Sequence, residues 1–290
     1  MIEKIKLHQH YDSPVFLLER KYSEGVTKYY DQDSPKSPGP LWFSDAGDAF
    51  AAALALNKSK QKVLRRLKIC LQLRTAQFLR ATHAGQPITI EVDGNTWHET
   101  GNGDRSFVRV GEWLDAYELS LILRDTTARN FLMQMPDELL MEARSRSSEK
   151  LFYLTQIQFI KSLYDAEKNS VEYFQRMYQA AMDVEIGPDT HPSRRQMLDK
   201  IMIPVVELFG IILGQDENSY QQAMDLALRD HEAWFTKDDS AMQNSGGWYS
   251  TRLLAMAALA WDQRQYQPLY AEPIFKQYIP EWLVKGDFKD

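Results

Sequence analysis

At 290 residues the chain is long enough to bury a sizeable core and lies near the upper edge for one domain. Its 44% hydrophobic and 26% charged residues are those of an ordinary globular protein, and a net charge of −6 speaks against nucleic acid as a partner for the chain as a whole. One cysteine and six histidines leave no disulfide framework and little material for a multi-ligand metal site.

The first 44 residues are mixed. Met1 to Lys6 lacks the apolar core of a secretory signal. The longest apolar run, Leu253 to Trp261, has nine residues, against the ~20 needed to span a bilayer. A cytosolic, non-membrane protein is therefore expected. His8-Gln9-His10 would place two imidazoles on one face of a strand, with Asp12 nearby, a set able to hold zinc. Two neighbouring histidines in a terminal segment also arise without function, and no metal is expected. Val15-Phe16-Leu17-Leu18 suits a strand or a helical turn. Ser34 to Pro40 contains three prolines, which fix the backbone and remove donors. This loop is expected to set off an N-terminal arm, residues 1–44, packed on a single α-helical domain, residues 45–290.

Ser44 or Asp45 can cap an Ala-rich helix running to about Leu56. Asn57 to about Thr82 predicts a longer helix with Val63, Leu64, Leu67, Leu71 and Phe78 on its apolar face. Ala49 to Ile90 holds eight Lys/Arg and no acid. Such a face can contact phosphates. It can equally be a solvated face whose long side chains cover apolar surface, or pair with the acidic second half of the chain, and this is the preferred reading. Cys70, on an apolar stretch, is read as a small buried side chain.

Pro87 begins a hairpin. Ile88, Ile90 and Val92 alternate with Thr89 and Glu91, the period of a strand with one buried face, and Asp93-Gly94 is a two-residue turn pair that tolerates positive φ. The strand returns as far as His98. A helical run follows from Trp113 to Asp125, then a second ending in Met135-Pro136-Asp137-Glu138-Leu139-Leu140. Helices are expected over Glu149–Asp165, Val171–Met182, Val205–Leu213 and Glu217–Phe235. Gly187-Pro188-Asp189 breaks the chain, Ser193 can cap the next run, and Pro204 marks a kink or boundary. After the Asn244–Gly247 turn, Tyr249 to Trp261 is almost wholly apolar, which predicts burial at the centre. The expected fold is mostly α, a multi-helix bundle of paired antiparallel helices with one small β-hairpin insertion. No fixed-period repeat is present.

Catalytic signatures are missing from the sequence. His231-Glu232 lacks the H-E-x-x-H spacing, and adjacent helical residues point about 100° apart; His98-Glu99 is similarly uninformative. Ser59–Lys62 and Ser147–Lys150 match S-x-x-K without its partner motifs. There is no G-x-S-x-G, P-loop, dinucleotide fingerprint or C-x-x-C. The chain is read as a non-enzyme with no cofactor.

Charge points instead to a protein partner. Residues 1–150 hold 21 basic and 20 acidic side chains, residues 151–290 hold 13 and 20, and Glu207 to Asp239 alone holds eight acids and two bases. The expected binding surface comprises Asp216, Glu217, Asp230, Glu232, Asp238 and Asp239, with Trp234, Trp248 and Tyr249 as aromatic anchors. An acidic surface of this kind complements a basic cleft and speeds encounter. An ordinary solvated face is the alternative.

Two segments also carry a family resemblance. The hairpin, the Trp113-Leu114-Asp115-Ala116-Tyr117-Glu118-Leu119 helix reaching Arg124-Asp125, and the Met135-Pro136-Asp137-Glu138-Leu139-Leu140 run form the first. The Ala-rich helix from Ala255 through Trp261-Asp262 to Tyr278-Ile279-Pro280-Glu281-Trp282-Leu283 forms the second. Over roughly residues 45–284 the chain resembles the immunity protein 49 family of bacterial polymorphic toxin systems. The resemblance implies a protein that binds and neutralises a cognate toxin, encoded by the adjacent gene, by blocking its active site or substrate access; it implies no binding residue. Two other readings stay open: a helical-repeat-like adaptor without a toxin partner, and an α-helical enzyme using His231 or His191.

Overall fold

Apolar residues recurring every three to four positions, punctuated by caps and left-handed turns, fold the chain into successive helical hairpins. The computed structural model describes residues 4–8, 11–27, 39, 42–141, 148–184 and 192–289. It opens with an antiparallel pair, β1 (Lys4–His8) and β2 (Tyr11–Pro14), followed by α1 (Val15–Thr27), α2 (Trp42–Ala55) and α3 (Lys60–Thr82). A second antiparallel pair, β3 (Pro87–Val92) and β4 (Asn95–Thr100), precedes α4 (Val110–Leu123), α5 (Thr126–Met133), α6 (Asp137–Met141), α7 (Ser148–Ser162) and α8 (Ser170–Met182). The last part holds α9 (Pro192–Met197), α10 (Ile203–Gly214), α11 (Glu217–Phe235), α12 (Asp239–Gln243), α13 (Thr251–Arg264), α14 (Phe275–Tyr278) and α15 (Glu281–Val284). The fold is mostly α, as expected, with one hairpin more than the sequence suggested. Among the described residues, no helix is long and apolar enough to cross a membrane.

Sequence neighbours pack as pairs: α1 on α2, α2 on α3, α3 on α4, α7 on α8, and α10 on α11. The long-range closure is α13 against α4. Leu253 to Ala260 are all buried, so the longest apolar run does lie in the core. Trp113 is fully buried and spends its Nε1–H on the Leu132 carbonyl, 3.1 Å away, tying α4 to α5. Phe159 meets Phe174 and Phe209 edge-on at 5.4 Å, joining α7, α8 and α10.

Val15 to Leu18 form a helical turn, and Leu18 is buried with Ala51, Ala55 and Trp248. The helix predicted from about Ala46 begins at Trp42, and the one predicted from Asn57 begins at Lys60. Asn57 has φ 48° and sits in the break between them, a conformation Asn tolerates. The β3 burial alternates strictly, with Ile88, Ile90 and Val92 inward. Pro204 lies just inside α10, directly after a π turn over Leu198–Met202 whose exit bond runs from the Ile203 amide to the Leu198 carbonyl. Proline has no N–H to give the carbonyl four residues back, and the widened turn accommodates that loss without ending the helix.

The basic helix is not a plain solvated face. Arg66, Gln77 and Arg80 are buried. Arg74 reaches Asp115 at 3.1 Å and Glu112 at 3.4 Å, Arg80 reaches Glu99 at 2.6 Å, and Arg65 reaches Asp93 at 2.6 Å. These partners come from α4 and the β3–β4 hairpin rather than from the acidic stretch, because α3 packs beside those elements.

Candidate functional site

The acidic stretch is spread along α11 and its flanks. Asp216 and Glu217 stand at the start of this 19-residue helix, and Asp238 and Asp239 follow its end. At 1.5 Å per residue the two groups lie roughly 27 Å apart. They do not form the single patch that their spacing suggested.

Several of these carboxylates have structural partners. Asp216 caps α11, accepting from the Ser219 amide at 3.0 Å and its hydroxyl at 2.6 Å, bonds that hold its carboxyl below the usual range. Asp238 caps α12 through the Ala241 amide at 2.8 Å. Each cap satisfies an N–H that a helix start leaves open. Asp230 pairs with Lys200 at 2.7 Å, and Asp225 with Arg229 at 2.9 Å. Glu232 is half-buried, and its charge is one reason the Tyr278 phenol is pushed up, after burial itself. Glu217 and Asp239 are exposed.

The aromatic candidates separate more sharply. Trp234 is half-buried, with the Lys237 ammonium 3.3 Å from its ring centroid, which leaves an aromatic and a cation beside Asp238 and Asp239. Trp248 is 4% exposed and belongs to the core with Leu18, Ala51 and Ala55, its Nε1–H given to the Met242 carbonyl at 3.1 Å. It is not a surface anchor. Tyr249 packs edge-on against Phe50 at 4.7 Å, and burial pushes its hydroxyl well up. Both residues precede Ser250, which caps α13, so they turn the connecting loop into the core instead of presenting it.

The other histidine, serine and cysteine candidates have plain structural surroundings. His231 is buried between Phe235 and Tyr278, and a ring nitrogen meets the Gly247 carbonyl at 3.1 Å. Gly247 is required there, since a Cβ would stand 2.4 Å from the Phe235 ring. His98 meets the Thr89 hydroxyl across the hairpin at 3.2 Å. His8 ends β1 and pairs with Tyr11 of β2; Gln9, His10, Ser34 to Pro38, Pro40, Ser147, Gly187 to Asp189 and His191 lie outside the described residues. Ser59 and Lys62 are both exposed. Cys70 is buried, which pushes its thiol up to about 11. Among the described residues no three His, Cys, Asp or Glu side chains could hold a metal ion together.

The charged cluster that sequence reading missed lies inside the bundle. Glu112, Asp115 and Glu118 follow one another at i, i+3 and i+6 on α4, facing Arg74 of α3 and Arg252 of α13. Glu118 is 3% exposed, with Oε1 3.9 Å from Arg252 Nε and Oε2 without a hydrogen-bond partner. Burial outweighs the arginine and pushes its carboxyl up to about 8. The three-residue spacing of acids on an otherwise apolar helix was the available signal. A second unheralded feature is an open cleft of about 700 Å³ where the end of α2 meets α14 and α15.

The two resembling segments meet in space. The Arg124 guanidinium donates to the Leu283 carbonyl at 2.8 Å and the Val284 carbonyl at 2.5 Å, and pairs with Asp262 at 3.0 Å. The residue after α4 thereby holds the last turn of α15.

A sequence model of the family described as Immunity protein 49 matches residues 51–283 of the chain. No curated protein and no solved structure matches it.

Proposed function

Since the chain belongs to the immunity protein 49 family, we propose that it binds a cognate toxin domain in the cytoplasm and neutralises it by covering the toxin's active site or substrate path. The match over residues 51–283, most of the chain, carries this reading. The toxin is proposed to be the product of the adjacent gene. Neutralisation here is steric and performs no chemistry, with charge assisting the approach. Self-protection leaves little room for free toxin, so affinity is nanomolar or tighter, roughly −12 kcal/mol.

The proposed contact surface is the end of α11 with α12: Glu232, Trp234, Asp238 and Asp239. Trp234 is the aromatic there that is not already spent on the core, and tight interfaces concentrate their energy in such residues inside a polar rim. Asp216 and Glu217 at the far end of α11 extend the acidic field. Trp248 supports the surface from beneath through its bond to the Met242 carbonyl, while Asp230 is held by Lys200 and Tyr249 by Phe50.

Co-expression with the adjacent gene product tests the proposal. The expected result is a stable complex on co-purification and rescue of growth from the toxin. A toxin that is active, does not co-purify and kills cells regardless would overturn it.

A further inference from the structure

We infer that the cleft between the end of α2 and the α14–α15 segment seats a loop of the partner toxin carrying an apolar side chain beside a carboxylate. This rests on the immunity reading and adds to it a second point of contact. The floor of the cleft is apolar, made by Leu54, Pro280 and the half-buried Trp282, and its volume of about 700 Å³ suits one or two inserted side chains. An aromatic floor inside a polar rim is where interface energy concentrates.

The charge of the partner follows from the rim. Glu281 accepts from Lys285 at 2.6 Å and from Gln267 at 2.8 Å, and these bonds, with the charges of Lys285 and the more distant Lys276, keep its carboxyl below the usual range. Asp287 is likewise held by Lys60 at 2.9 Å. Both acids of the cleft are thus neutralised within the chain. Lys276 is exposed and, among the described residues, has no carboxylate within 4.0 Å; its ammonium stands 5.7 Å from the Tyr270 ring. The cleft therefore offers a cation on a chain of net charge −6, and an incoming carboxylate complements it. The cleft is also linked to the α11 surface. Arg229 of α11 pairs with Glu272 and covers Phe275 at 5.6 Å, and the next two residues, Lys276 and Gln277, line the cleft.

The test uses the full chain and the toxin domain from the adjacent gene. Lys276→Glu is expected to weaken the complex at least tenfold and Lys276→Ala by a smaller factor, while Lys62→Glu, on the exposed side of α3, leaves it unchanged. Amine labelling read by mass spectrometry is expected to show Lys276 protected in the complex and Lys62 not. Equal affinity for all variants together with equal labelling of Lys276 in free and bound protein would overturn the inference. Failure of the wild-type protein to bind the toxin would overturn the parent reading instead.

Discussion

Replacing Glu118 by Gln should remove a pH dependence of stability, with a difference from the wild type that is small near pH 5 and grows toward pH 8. Glu118 is enclosed between α4 and α13, with Arg252 at 3.9 Å as its nearest cation and Oε2 unpartnered. Desolvation disfavours the charged form and pushes the carboxyl up to about 8, far above an ordinary glutamate. A carboxyl with a raised folded-state pKa makes the folded chain bind its proton more tightly than the unfolded chain. The resulting stability is fully present below about pH 4.5 and is lost as pH rises toward 8. Each pH unit in that interval is worth at most about 1.4 kcal/mol, so the interval carries a ceiling of about 5 kcal/mol. Glutamine keeps the shape and an oxygen for Arg252 and has no proton to lose. Urea unfolding at pH 5, 6, 7 and 8 should show the variant gaining on the wild type steadily with pH. Glu112, also raised by burial, titrates in both proteins and cancels in the difference. Stability curves that stay parallel across the four pH values would refute the reasoning, since they would place a normally titrating, solvated carboxylate at this position.

Arg124→Ala removes two bonds to the end of α15 and an ion pair with Asp262; a loss of about 2–4 kcal/mol in denaturant unfolding is expected. Gln215 closes α10 at φ 62°, a left-handed conformation that costs a side-chain-bearing residue about 1 kcal/mol, so Gln215→Gly should raise stability by roughly 0.5–1 kcal/mol in the same assay. Asp239→Lys spares the α12 cap, which belongs to Asp238. It should slow toxin association at low salt and flatten its salt dependence in stopped-flow mixing, and unchanged rates would remove α12 from the interface.

The parts of the fold that were legible in the sequence are those written by local chemistry. The Ile88, Ile90 and Val92 alternation with Asp93-Gly94 defined β3 and its turn, and the boundaries expected for α11, Glu217 to Phe235, are those observed. The N-terminal hairpin was not legible, because no turn pair of the Asn-Gly kind follows the Lys4–His8 alternation and Tyr11 to Pro14 has no apolar alternation to mark a second strand. The candidate surface was only partly legible, for a different reason. Sequence spacing does not distinguish an acid that caps its own helix, as Asp216 and Asp238 do, from one offered to a partner. Nor does it reveal that Trp248 turns inward beneath α1 and α2, a placement decided by residues some 200 positions away in the chain.

The residues that make the chain recognisable are largely those that hold it together. Trp113 is buried and bonded to Leu132, Arg124 grips the α15 carbonyls, and Tyr278 packs on His231. These contacts join α4, α5, α11, α14 and α15 into one body, so a change at any of them acts first on stability. The groups proposed to meet a toxin, Trp234 with Asp239 on one surface and Lys276 at the cleft on the other, are held in place by that body. If the proposed surfaces bind the toxin, a toxin of altered surface charge is matched by exchanging Asp239 or Lys276 while the buried junctions remain as they are. On the proposed reading, partner choice and fold are physically separable, the arrangement expected of a protein that acts by recognition.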